Sequence, residues 1–192
     1  MSEWRQRLTQ KLEPVLRETD PRTELSAYHD MPYAVFHYPP NDEFALRGEV
    51  AMLRTRLEQG GKRVTVVSLA ICVEMALKRE GLTPDDIKMV EAKTDTALMA
   101  DTVHNVLSKD QPLDALVAEQ LPEEPDPLVD VVFITRVGAL FPLYRISALL
   151  DQIHGKVVVP AVLFYPGDLE GSGGLRFMGV MGAEHNYRPK IF

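Results

Sequence analysis

The chain holds one cysteine, one tryptophan and no long apolar run, and each scarcity removes a class of protein. Cys72, set between Ile71 and Val73, has no second thiol to pair with. An internal disulfide is excluded, and the residue reads as a small buried hydrophobe in a reducing compartment. The longest strongly apolar stretch, Val157 to Tyr165, is nine residues and contains Pro160, far short of the ~20 needed to span a bilayer. Residues 1–20 mix Arg5, Arg7 and Lys11 with Glu3 and Glu13 and lack the apolar block of a secretion signal, so a cytoplasmic location without membrane contact is expected. A basic face is also missing. The net charge is −7, and residues 80–130 carry thirteen Asp and Glu against Lys88, Lys93 and Lys109, a local −10 beside a near-neutral remainder. Nucleic-acid binders draw affinity from neutralised phosphates, so extensive nucleic-acid contact by this chain is not expected.

What is present is an alternation of helical and strand patterns. With 192 residues and 45% apolar content the chain can bury one sizeable core, so 1–192 reads as a single domain. Ser2 caps a first helix whose Trp4, Leu8, Leu12, Val15 and Leu16 form one stripe. Tyr33 to Tyr38 reads as a strand ended by Pro39 and Pro40. A helix capped by Asn41 or Asp42 follows, with Leu46, Val50, Leu53 and Leu57 inward and Gly60-Gly61 as its stop. Lys62 to Leu69 reads as a second strand and Ala70 to Arg79 as a helix. Residues 81–128 form an acidic helical insertion: Thr83 opens one short element, Asp95 caps a helix through Val106, and Pro112 opens another ending near Leu121. Val129 to Thr135 is the candidate central strand, and Pro142 is expected to open the helix carrying Ile146, Leu149, Leu150 and Ile153. Ala161 to Tyr165 is another buried strand, Leu175 to Val180 an antiparallel edge strand, and the end a polar tail. The fold class is α/β: a mainly parallel sheet covered by helices on both faces, Rossmann-like or resembling a degenerate NTPase.

The motifs that could carry chemistry are incomplete. Where a nucleotide-binding sheet would place a glycine-rich loop, Pro39-Pro40-Asn41-Asp42-Glu43 removes amide donors and adds acids that repel phosphate. Gly60-Gly61-Lys62 lacks the following Ser or Thr and precedes a strand. Gly171-Ser172-Gly173-Gly174 has no helix after it and reads as a hairpin turn. Glu91-Ala92-Lys93 matches the E-x-K pattern of Mg²⁺-dependent nucleases without a well-spaced upstream carboxylate. Asp101 and His104 can share a helix face and with Asp95 could hold a metal, though such groups on an acidic surface helix more often meet water, and His29, His37, His154 and His185 are scattered. Arg136 lies just beyond a buried strand's C-terminal end, where open α/β sheets hold ligands. With Arg145, Arg188 and Lys190 it either forms a partner or ligand site or clamps the C-terminal tail to the body.

The run Arg136-Val137-Gly138-Ala139-Leu140-Phe141-Pro142-Leu143-Tyr144-Arg145-Ile146-Ser147-Ala148-Leu149-Leu150, followed by Gly155-Lys156 and Val162-Leu163-Phe164-Tyr165-Pro166-Gly167, resembles the BrxB family of BREX bacteriophage-defence proteins. Tyr38-Pro39-Pro40 and the ending Asn186-Tyr187-Arg188-Pro189-Lys190-Ile191-Phe192 agree with it, and residues 81–128 match by position alone. The resemblance implies a subunit of a system that marks host DNA by adenine methylation and blocks phage replication. It also implies other BREX proteins as partners, especially the alkaline-phosphatase-like PglZ. No catalytic residue carries over, so the expectation is a non-catalytic adaptor without a cofactor, its partner contacts drawn from Arg136, Arg145, Arg188 and Lys190 and from the acids Asp95, Asp101 and Asp110, which can steer a basic partner. The rival expectations are a Mg²⁺-dependent nuclease using Glu91 and Lys93, or a DNA-contacting module built on the C-terminal basic residues.

Overall fold

Along residues 33–38 both alternating sets of side chains are apolar apart from His37, and such a strand is stable only with a layer on each face. The computed structural model has that arrangement. It describes residues 2–25, 31–83, 96–171, 173–184 and 189–192, the first three of α5 by backbone alone. Strands β1 (Tyr33–Tyr38), β2 (Arg63–Ser68), β3 (Asp130–Thr135), β4 (Ala161–Glu170) and β6 (Lys190–Ile191) form a parallel sheet in the order β2-β3-β4-β1-β6. β1 pairs with β4 from Tyr33↔Ala161 to Tyr38↔Pro166, and β2 with β3 from Arg63↔Asp130 to Ser68↔Thr135.

Two expectations about the sheet change here. The strand over 129–135 is interior and buried on both faces, but β4 holds the middle place. The crossover from β1 carries the chain past two positions to β2, and β3 and β4 then fill inward, an order that strand hydrophobicity does not encode. The tail is also more than polar. Lys190–Ile191 adds a strand beside β1, and Phe192 exchanges backbone hydrogen bonds with Val35 (2.8 Å) and His37 (3.2 Å). The antiparallel strand β5 (Gly174–Phe177) pairs with the far half of β4, from Gly167↔Phe177 to Glu170↔Gly174.

Helices cover both faces. On one lie α1 (3–17), α2 (Arg22–Leu25) and α3 (Glu43–Gln59), packed on Ala34, Phe36, Val131, Phe133, Val162 and Phe164. On the other lie α4 (Leu69–Arg79), α5 (96–110), α6 (Leu113–Ala118) and α7 (Ile146–Gln152), packed on Val35, Val67, Val132, Ile134 and Leu163. Trp4, Leu8, Leu12 and Leu16 are all buried although a four-residue step drifts about 40° around an ideal helix. The widened π turn Leu8–Leu12 absorbs that drift and the lost amide of Pro14. Ser2 heads α1 through its carbonyl, which accepts from the Arg5 amide at 3.1 Å, and its hydroxyl makes no cap bond. α7 starts at Ile146, four residues beyond Pro142, because Arg145 is extended (φ −82°, ψ 129°) and Phe141 turns inward to pack edge-on against Phe177. No helix among the described residues is long and apolar enough to cross a membrane.

Candidate functional site

All parallel strands end on one edge of the sheet, and there the chain leaves β1 and β3 toward helices on opposite faces, a geometry that opens a crevice above the strand between them. That strand is β4. β1 stops at Tyr38 because Pro39 and Pro40 offer no amide to a ladder, and the tight turn Pro40–Asp42 leads into α3. β2 ends at Ser68, and β3 at Thr135, whose hydroxyl donates to Val67 O at 3.3 Å. The next residue, Arg136, has φ 58° and ψ 34°, the left-handed region that is costly for a side chain other than glycine or asparagine. This turn swings the chain into Val137–Leu140 and brings the guanidinium over the strand ends.

Two hollows share Glu43, Arg47 and Arg136. One, of about 320 Å³, runs between α3 and the ends of β2 and β3 over Leu46, Val50, Val66 and Phe164. The other, of about 250 Å³, is closed by Pro40, Pro166 and Met178. Glu43 is the hub. The buried Tyr38 hydroxyl donates to one of its oxygens, Arg47 Nε to the other at 2.8 Å, and Arg136 Nε stands 3.8 Å away. Burial first, and the adjacent carboxylate second, push the Tyr38 phenol well above its ordinary range, so it stays protonated and serves as a donor. The neighbouring acid, Asp42, accepts from the indole of Trp4 at 2.7 Å and so binds α1 to the head of α3. At the rim Phe44 is 80% exposed, with the Arg47 guanidinium 4.8 Å from its ring centre.

Of the four basic residues singled out in the sequence, the three described ones, Arg136, Arg145 and Lys190, lie apart from one another. Arg136 lines this crevice. Arg145 and Asp101 instead share a separate cleft of about 490 Å³ with Tyr144 and His104. The ring nitrogens of His104 face Leu143 O at 2.9 Å and the Ser108 hydroxyl at 3.3 Å; the carbonyl calls for a proton on Nδ1, and the Nε2 lone pair then accepts from Ser108. Lys190 acts as a clamp: its ammonium donates to Glu24 O at 2.9 Å and lies 4.8 Å from the centre of the Phe192 ring. Asp110 is exposed at the far end of α5. Arg188, Asp95, Glu91 and Lys93 lie outside the described residues. No group of three His, Cys, Asp or Glu among the described residues is placed to hold a metal.

Part of the acidic sector is internally compensated. Asp114 pairs with Lys156, Glu119 with Arg79 at 2.6 Å, and the buried Asp130 with Arg63 through two bonds of 2.8 Å. Cys72 is buried and accepts from Gln120 Nε2 at 3.0 Å, and burial pushes its thiol up, away from the reactive thiolate. Arg47, which lines the crevice, and Phe44, which stacks on it, were not singled out by sequence reading. An i, i+4 Glu–Arg pair in the first turn of α3 was the available signal, but such pairs are common on helices.

A family model described as BREX protein BrxB matches residues 66–191 of the chain. A protein of that description from Bacillus cereus (strain H3081.97) is 26% identical over 173 residues, covering 86% of this chain and 87% of its own length. No solved structure matches the chain.

Proposed function

The chain belongs to the BrxB family of BREX proteins, and on that footing we propose that it is a non-catalytic subunit of an anti-phage BREX assembly, an adaptor that binds the alkaline-phosphatase-like PglZ. The arrangement that supports this reading most is the head of α3. Where an α/β enzyme would set amides toward a phosphate, this chain sets Pro39, Pro40 and two carboxylates already engaged, Asp42 by Trp4 and Glu43 by Tyr38 and Arg47. Beside that position it exposes an aromatic ring and an arginine stacked together, the residue types that dominate protein interfaces. Other BREX subunits are partners on the same reading.

Co-purification tests the adaptor role. Tagged protein expressed with the whole BREX system retains PglZ if the reading is correct; a preparation that retains no BREX subunit refutes it. Incubation of the purified protein with Mg²⁺ or Mn²⁺ and duplex or single-stranded DNA separates adaptor from nuclease. The adaptor leaves DNA intact, whereas cleavage that disappears in Glu91→Ala would establish the nuclease instead.

A further inference from the structure

We propose that the Arg47–Arg136 crevice is the contact point for an acidic segment of the protein partner, with a carboxylate of that segment bridging the two guanidinium groups and a neighbouring apolar side chain filling the trough beneath them. The inference rests on the adaptor reading and adds the place and the chemistry of contact.

Charge is the first ground. In a chain of net charge −7, Arg47, Arg54 and Arg136 line one hollow, in which Glu43 is the one lining carboxylate. Each guanidinium has five N–H donors, and Glu43 already accepts from Tyr38 and Arg47, with Arg136 standing off at 3.8 Å. Arg54 is directed at Glu58, whereas Arg47 and Arg136 are directed at one carboxyl group, which makes their remaining N–H donors the pair that a second carboxylate can join. Bidentate carboxylate recognition is the task for which arginine geometry is suited.

The second ground is apolar. The floor of the 320 Å³ hollow is Leu46, Val50, Val66 and Phe164, with Val66 38% exposed and Phe44 80% exposed at the rim. Paired guanidinium groups bind phosphate and carboxylate alike, so it is the apolar floor beside them that favours a peptide carboxylate over a bare inorganic anion. A carboxylate with an adjacent aliphatic or aromatic side chain satisfies both the cations and the floor. The third ground is Arg136 itself. Its backbone is held in the left-handed region at a cost, and from there its side chain lines both hollows.

The test uses the tagged full chain in cells expressing all BREX subunits. Arg47→Gln and Arg136→Glu are each expected to lower retention of the partner about tenfold or more while the circular dichroism spectrum stays that of the folded chain, and Val180→Ser, outside the crevice, retains it. Should Arg136→Glu fold poorly, Arg136→Gly removes the charge while suiting the backbone and is expected to lose retention likewise. A photo-crosslinking residue in place of Phe44 is expected to join a BREX-subunit peptide that carries Asp or Glu beside an apolar residue. Full retention by both arginine variants overturns the crevice and leaves the adaptor reading standing, whereas no retention by the unaltered chain refutes the adaptor reading itself. A native mass spectrum showing a small anion held by the purified chain and lost in Arg136→Glu also overturns the proposal, because the crevice is then a metabolite site.

Discussion

Glu13 shows how a single residue ties two helices together. Its side chain is nearly buried in α1, yet it accepts from Arg17 at 2.7 Å and from Arg56 of α3 at 2.7 Å and 3.0 Å. The Arg56 hydrogen bonds hold its carboxyl below the ordinary range, with burial opposing and Arg17 assisting. A carboxylate whose folded pKa is depressed stabilises fully above its unfolded pKa, near 4.3, and loses that contribution as pH falls through the folded value. Glu13→Gln is therefore expected to cost about 1–3 kcal/mol in urea unfolding at neutral pH, and the difference from the unaltered chain to shrink below about pH 4. Equal differences at both pH values would show that the ion pairs contribute nothing. Arg136 supplies a second residue-scale prediction. Its left-handed backbone suits glycine and penalises a β-branched side chain, so Arg136→Val is expected to be less stable than Arg136→Gly by about 1–2 kcal/mol in thermal unfolding.

At the scale of elements, glycines divide sharply by what surrounds them. Gly48 lies within α3 with open space where a Cβ would stand, so Gly48→Ala is expected to raise stability by about 0.5–1 kcal/mol. Gly167 is the hinge at which β4 leaves the parallel sheet and meets β5. A Cβ there would overlap the Arg176 carbonyl oxygen and the Tyr165 ring, so Gly167→Ala is expected to cost more than about 2 kcal/mol and lower the melting temperature. An unchanged melting temperature for Gly167→Ala would mean that the hairpin is not packed this way. Element boundaries were legible where the pattern was local. β1 spans the expected Tyr33–Tyr38, and α3 buries Leu46, Val50, Leu53 and Leu57 as their spacing requires. They were not legible where tertiary contacts intervene: Pro142 does not open α7, because Phe141 and Leu143 are drawn toward Phe177 and His104.

Across the whole molecule, the sheet separates two apolar clusters that share its strands, so the loss of either face removes support from the other. Trp4, the only tryptophan, reports on one face. Leu149→Ala on α7, across the sheet, is expected to lower stability by about 2–5 kcal/mol and to shift Trp4 fluorescence and far-ultraviolet circular dichroism together in one urea transition. Two separated transitions would show that the faces unfold independently. Charge also acts at this scale. The exposed Asp101 and Asp110 belong to the acidic sector, and reversing both to lysine is expected to slow association with a basic partner surface at low ionic strength and to have little effect at high salt. An unchanged low-salt rate would remove that sector as a steering surface.

The α/β class and most element positions followed from the sequence alone, because apolar periodicity and turn residues act over a few positions and are written along the chain, and the family followed from the resemblance of the run from Arg136 to Gly167. Arg136 was singled out by the same logic, from its place after a buried strand, and it lines the crevice. Strand order, the edge strand at Lys190–Ile191 and the meeting of Tyr38, Glu43, Arg47 and Arg136 were decided only in three dimensions. The last of these spans about a hundred positions between Tyr38 and Arg136, and no local pattern records which crossover will close that distance. Packing both faces of one sheet makes that choice, and with it the crevice.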